Sequence, residues 1–138
     1  MMPSKVASYN DDILLGTTKT TANDNFDTSH PLYQQLASYA DVYYHHSALR
    51  NGQQQTLFAD ENSGIYAASR INEEQKLIVI FNTATENRVQ SIVLSDEANK
   101  LTSAYQSNVQ TTFELSGANN VTVNMPPLST MVLVVEDK

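Results

Sequence analysis

Leu77-Ile78-Val79-Ile80-Phe81 and Met131-Val132-Leu133-Val134-Val135 decide the fold of this chain. Each is an unbroken apolar run rich in Val and Ile. Such runs have strand length and fall far short of the roughly 18 apolar residues of a membrane-spanning helix. β-branched side chains suit a pleated backbone, and the absence of polar alternation predicts central strands covered on both sides. Nearby, Val121, Val123 and Met125 alternate with Thr122 and Asn124, the pattern of a strand with one wet face. Further strands are expected near 54–59, 65–70, 88–94, 101–105 and 111–115. Turn sequences separate them, among them Asn62-Ser63-Gly64, Thr85-Glu86-Asn87, Ser116-Gly117-Ala118-Asn119-Asn120 and Pro126-Pro127. Short strands at spacings of about 10–12 residues predict an antiparallel sandwich or barrel.

Upstream of residue 53 the character changes. Leu32, Leu36, Tyr39, Ala40 and Tyr43 recur at the period of one α-helical face, which predicts a helix over about 30–49. Ser29 or His30 can cap it, Pro31 suits its first turn, and Asn51-Gly52 offers a stop. Residues 1 to about 29 are rich in Thr, Asn and Asp without an apolar period and read as a polar leader. The expected organisation is therefore mostly β: a leader and one amphipathic helix in residues 1–52, then an antiparallel sandwich in 53–138. A lone amphipathic helix needs something to pack on, so the chain reads as a piece of a larger protein. In isolation the helix 30–49 is expected to pair with a second copy, giving a homodimer.

Composition narrows the partners. Eight Lys and Arg against fifteen Asp and Glu leave a net charge of −7 among 138 residues. Scattered basic residues on an acidic chain argue against nucleic acid and against an anionic membrane surface. The absence of cysteine removes disulfides, thiolate metal sites and thiol nucleophiles.

No catalytic, cofactor-binding or metal-binding residue is assigned from the sequence. Gly16, Gly52, Gly64 and Gly117 are too far apart for a phosphate-cradling loop or a nucleophile elbow. His45 and His46 are adjacent, so on a helix they point about 100° apart and do not share a metal as an i,i+4 pair does. Asp11-Asp12 form one acidic cluster; Asp24-Asn25-Phe26-Asp27 offers closely spaced oxygen donors that suit calcium, yet lacks the twelve-residue loop pattern with its closing Glu. Asp60-Glu61 and Glu73-Glu74 lie in polar turns, not in the setting of a carboxylate pair across a cleft. Tyr33, Tyr39, Tyr43, Tyr44 and Tyr66 are candidate sugar platforms, although helical spacing favours packing roles for Tyr39 and Tyr43.

The order of motifs resembles the end of an α-amylase-family glycoside hydrolase. His30-Pro31-Leu32-Tyr33 opens a helix that closes on Leu49-Arg50-Asn51-Gly52, like the family's Leu-Arg-x-Gly ending of the last barrel helix. Tyr66-Ala67-Ala68-Ser69-Arg70 is similar to a Tyr-Ala-x-x-Arg strand, and Val79-Ile80-Phe81-Asn82 to a Val-x-x-Asn strand. Pro127-Leu128-Ser129-Thr130-Met131-Val132-Leu133 resembles the closing strand. Met2-Pro3-Ser4 with Tyr9-Asn10-Asp11-Asp12 is similar to the family's eighth-strand segment, with Asn10 where that segment has Gly and Asp12 where it has Glu. The resemblance implies that residues 1–52 are the remnant of a (β/α)8 barrel and that 53–138 are its Greek-key domain C. The family's three catalytic carboxylates lie on earlier barrel strands, so none is carried onto this chain. It further implies a parent, often bacterial and exported, that hydrolyses or transfers α-glucosidic linkages by a retaining mechanism. The partner it implies is the missing catalytic barrel, which this chain would stabilise without catalysing. Two other readings stand beside it: a sandwich module binding α-glucan through exposed tyrosines, and a structural interaction domain.

Overall fold

The computed structural model of the chain describes residues 28–137. Among them are the helices α1 (Pro31–His45) and α2 (Ser47–Asn51) and eight strands. The strands are β1 (Gln53–Asp60), β2 (Ile65–Ile71), β3 (Lys76–Asn82), β4 (Arg88–Val93), β5 (Ala98–Gln106), β6 (Thr112–Ser116), β7 (Asn120–Met125) and β8 (Thr130–Asp137). The chain divides into two compact units, Met1–Asp41 and Val42–Lys138. The second holds the last turn of α1, all of α2 and every strand among the described residues.

The strands form two antiparallel sheets, one in the order β1-β2-β3-β8-β5 and one in the order β4-β7-β6. The two apolar runs are neighbours at the centre of the larger sheet, with Val79 opposite Val132 and Ile80 opposite Met131. β1 and β2 lie against β4 at one margin. Strands β5 to β8 follow a Greek key, the hairpin β6–β7 folding over the ladder that joins β5 to β8. The expected antiparallel sandwich is the observed fold.

The core sits between the sheets. Ile65 and Ala67 of β2, Ile78 and Ile80 of β3, and Met131 and Leu133 of β8 meet Ile92 of β4 and Val121, Val123 and Met125 of β7. The period of two predicted for β7 is realised, with Thr122 and Asn124 on its outward side and half-buried. Each fully buried Leu or Ile contributes about 1.5–3 kcal/mol. Asn82 fastens the sheets at one end. Its Nδ2 donates to the carbonyls of Glu86, Met125 and Pro126, each at 2.9 Å, and its Oδ1 accepts from the Ala84 N–H at 2.9 Å.

One expectation about the helix needs correction. The helix is not continuous over 30–49. His46 takes an extended backbone, φ −119° and ψ 103°, and α2 starts after it. The break turns Ala48 onto the outer face of the larger sheet, where it is fully buried with Leu77 and Val132. The stripe of Leu32, Leu36, Tyr39 and Tyr43 is exposed, as a helix face without its packing partner is expected to be, and no residue of α1 is buried. The side chain of α1 that reaches the Ala48 cluster is Val42, which lies outside that stripe. The reading of residues 1–27, including the leader and its acidic clusters, lies outside the described residues.

The larger sheet is also not covered along its whole outer face. Leu77 is buried beneath α2, whereas Phe81 on the same side of β3 is 38% exposed. After Pro126-Pro127 the chain turns through Leu128, which adopts φ +51°. That left-handed conformation costs a non-glycine residue about 1–2 kcal/mol.

Candidate interaction face

The outer face of the β1-β2-β3-β8-β5 sheet has two halves with different chemistry. One half is closed by α2, and a polar clasp holds the helix there. Arg70 on β2 extends its guanidinium to the α2 carbonyls, Nε to Ala48 at 3.3 Å and Nη2 to Leu49 at 3.0 Å. Ala48 O also accepts the Gly52 N–H, and at a helix end a cation complements the partial charge of such carbonyls. At the other end of α2, Ser47 Oγ donates to Glu74 Oε2 at 2.9 Å and accepts from Asn72 Nδ2 at 2.9 Å. Asn72 in turn shapes the β2–β3 turn, its Oδ1 accepting the N–H groups of Glu74 and Gln75 at 3.0 and 2.8 Å. The expected Gly52 stop is realised, its N–H donating to Ala48 O at 2.9 Å. Arg50 closes α1, donating to the carbonyls of Tyr43, at 2.9 Å, and Tyr44.

The other half is open. Tyr66 and Phe81 are cross-strand neighbours on it, with ring centroids 6.4 Å apart and planes 29° from parallel. Gln54 Nε2 donates to the Tyr66 hydroxyl at 3.2 Å, and Thr56 Oγ1 lies 3.4 Å from it. These contacts from β1 fix the ring and leave it half-buried. Beside it runs a groove of about 190 Å³ lined by Asp60, Glu61, Gly64, Tyr66 and Thr83 among others.

The residues weighed from the sequence are dispersed. Tyr33, Tyr39, Tyr43 and Tyr44 are all exposed on α1, and Tyr44 packs edge-on against His45 with centroids 5.3 Å apart. Tyr66 alone of the candidate platforms sits on the sheet. His45 and His46 share no site with a third ligating residue, and no group of three His, Asp or Glu side chains among the described residues is arranged to hold a metal. His46 stands at the helix break with its Nδ1 buried and unpartnered among the described residues. Burial, and then the charge of His45, lower its pKa below the ordinary 6.5. Glu74 turns inward to Ser47 as part of the α2 clasp, while Asp60 accepts the Asn62 N–H at 2.9 Å in its own turn. Asp11-Asp12 and Asp24-Asn25-Phe26-Asp27 lie outside the described residues. Sequence reasoning missed Phe81 and Leu128 as exposed groups. The apolar run hid the first, and the positive φ that singles out the second is a property of the backbone.

Fold and face together define a two-sheet Greek-key sandwich with a short helix clasped on one outer face and an aromatic pair left open beside it. The chain is 32% identical over 135 residues to an α-amylase of Streptomyces lividans, a match covering 96% of this chain and 14% of that protein. The match spans only a small part of that relative's length, consistent with a fragment of an α-amylase-type protein. No family profile matches it. Solved structures share the fold. An α-amylase from H. orenii superposes with a TM-score of 0.61 at 16% identity, over 76% of this chain and 20% of that one. A debranching enzyme of Nostoc punctiforme gives 0.59 at 19% identity, over 84% and 25%. An isomaltulose synthase of Erwinia rhapontici gives 0.57 at 18%, over 85% and 20%.

Proposed function

We propose that this chain is the C-terminal part of an α-amylase-type glycoside hydrolase acting on α-glucans. In this reading residues 53–138 are a non-catalytic domain C that packs on the catalytic barrel and stabilises it, and residues 1–52 are the end of that barrel. The observation that carries the reading is the span of the Streptomyces lividans match: nearly all of this chain against a seventh or so of an α-amylase. The clasped helix supports it, because α2 already covers half of the outer sheet face in the way a preceding barrel helix would lead a sandwich onto its neighbour. The work of such a domain is burial. Each Å² of apolar surface removed from water contributes about 25 cal/mol, so even a modest interface raises the heat resistance of the barrel.

The test has two parts. The purified chain, incubated with soluble starch, is expected to release no reducing ends, since removing the catalytic groups of a hydrolase costs many orders of magnitude in rate. Grafted in place of the matched segment of the Streptomyces lividans α-amylase, it is expected to restore the melting temperature lost when that segment is deleted. Starch turnover by the chain that disappears on mutating one of its own acids overturns the reading, as does a graft no more stable than the deletion.

A second reading, a carbohydrate-binding sandwich, is favoured by the groove beside Tyr66. An aromatic flank takes the apolar face of a sugar ring, and the Asp60 and Glu61 carboxylates accept its hydroxyl groups. Retention on immobilised amylose, lost in Tyr66→Ala, would support that reading against the first.

A further inference from the structure

We propose that the open end of the larger sheet, where Phe81 and Leu128 stand exposed, is the surface on which the remainder of an α-amylase-type chain docks. This rests on the function proposed above and adds which residues make the contact.

Leu128 carries the most information. It is 70% exposed and holds φ +51°. Glycine or asparagine takes that conformation with little strain, whereas leucine does not. An exposed leucine gives little packing back to its own domain. A strained residue kept without local gain points to a role outside the domain. Phe81 supplies the second observation: on the outer face of a central strand it is 38% exposed, with Tyr66 stacked beside it. The backbone brings these groups to one end of the sheet. Phe81 pairs with Thr130, the Asn82 N–H donates to Ser129 O at 2.8 Å, and the Leu128 N–H donates to Ala84 O at 3.1 Å.

An aromatic and a leucine side chain fit an apolar protein surface. They do not fit a phosphate backbone or a charged peptide, and aromatic residues such as Phe81 are enriched in protein interfaces. A second copy of the chain is a poor occupant. The chain carries a net charge of −7, and Asp60 and Glu61 line the groove that Tyr66 flanks. In an isologous pair those acidic turns would approach one another. The α-amylase relative, by contrast, continues far beyond the part that matches, since that part is 14% of it.

The experiment uses the grafted Streptomyces lividans α-amylase and the 138-residue chain side by side. Phe81→Ser and Leu128→Gly remove the two anchors, and Val89→Ser removes a valine about as exposed as Leu128 from the outer side of β4 in the smaller sheet. In the graft, the two anchor variants are expected to lower the melting temperature by several degrees and to shorten survival of starch-hydrolysing activity on heating. Val89→Ser is expected to match the unaltered graft. In the separate chain, Phe81→Ser is expected to leave the melting temperature within about 2 °C, and Leu128→Gly to leave or raise it.

Anchor variants that melt with the unaltered graft overturn this assignment of the face while leaving the proposed function standing. A graft that gains nothing over the deletion overturns the function itself. An equal loss in the separate chain and the graft makes the face internal packing, which also overturns the proposal. So does a dimer of the separate chain that Phe81→Ser dissociates, or amylose retention that the same variant abolishes.

Discussion

Asn82 at the end of β3 donates its side-chain amide to the main-chain carbonyl of Met125 at the end of β7, 2.9 Å away, and so ties the larger sheet to the smaller. The same nitrogen serves Glu86 O and Pro126 O, and the residue is buried. Its removal takes a donor from the buried carbonyl of Met125. Asn82→Ala is therefore expected to cost about 2–4 kcal/mol, above the range of an ordinary surface change. Asn82→Asp should be worse near neutral pH, because it exchanges the donor for a charge facing carbonyl oxygens. Urea denaturation of the three proteins, with a common slope, measures both. A loss below half a kcal/mol for the alanine variant would show that the tie is dispensable.

A buried and an exposed strand position should respond very differently. Ile80 is fully buried between the sheets, and Ile80→Ala is expected to cost about 2–5 kcal/mol. Thermal unfolding followed by circular dichroism should show the change as a drop of many degrees. Val93, 60% exposed on the outer side of β4, serves as the reference, and Val93→Ala should move the transition little. Equal shifts would contradict the placement of the core.

Gly52 joins α2 to β1 where no side chain fits. A Cβ there would lie 2.4 Å from Ala48 O and 3.0 Å from Ile71 N, both main-chain atoms. Its φ of −70° is open to any residue, so the constraint is space and not backbone conformation. Gly52→Ala is expected to cost about 1–3 kcal/mol and to speed amide hydrogen exchange in α2 before that in β3. Unchanged exchange at Ala48 and Leu49 would refute the close approach.

The pH response of stability should carry a signature of His46. Its folded pKa lies below 6.5 because of burial first and the His45 charge second. The unfolded chain therefore binds a proton near pH 6.5 that the folded chain takes only at lower pH. Stability is lost as pH falls through about 6.5 toward the folded value, and the loss stops growing below it. His46→Gln removes this contribution. The melting temperature of the parent should fall further between about pH 7.5 and pH 5 than that of the variant. Parallel curves for the two proteins would rule out a depressed His46.

Much of this architecture is legible along the chain. Period-two alternation and β-branched runs place all eight strands close to where they form, because both signals arise from local pleat geometry and burial. The leaving of α2 at Gly52 follows from a residue type that ends helices. The break at His46 is different. No proline or glycine marks it, and it exists because Ala48 must turn to meet Leu77 and Val132, residues far away in sequence.

The candidate face was less legible for a related reason. Phe81 belongs to the same apolar run as Ile78 and Ile80, and nothing in the run says which of its members α2 will cover. Coverage depends on where a short helix lands on a sheet, a long-range packing outcome. Tyr66 was visible as an aromatic, but its ring is fixed by Gln54 and Thr56 across a strand pairing that sequence spacing does not state.

The sequence by itself determined the strand positions, the antiparallel sandwich and the likeness to one enzyme family, since these rest on local periodicity and on motifs in a fixed order. Tertiary structure alone decided which apolar side chains were withdrawn from water and which were left at the surface. A hydrophobic residue gains the same transfer free energy wherever it is buried, so its own identity does not choose its neighbour. The choice came from strand order and from the clasp of Arg70 on α2, which together close the sheet over Leu77 and leave Phe81 open.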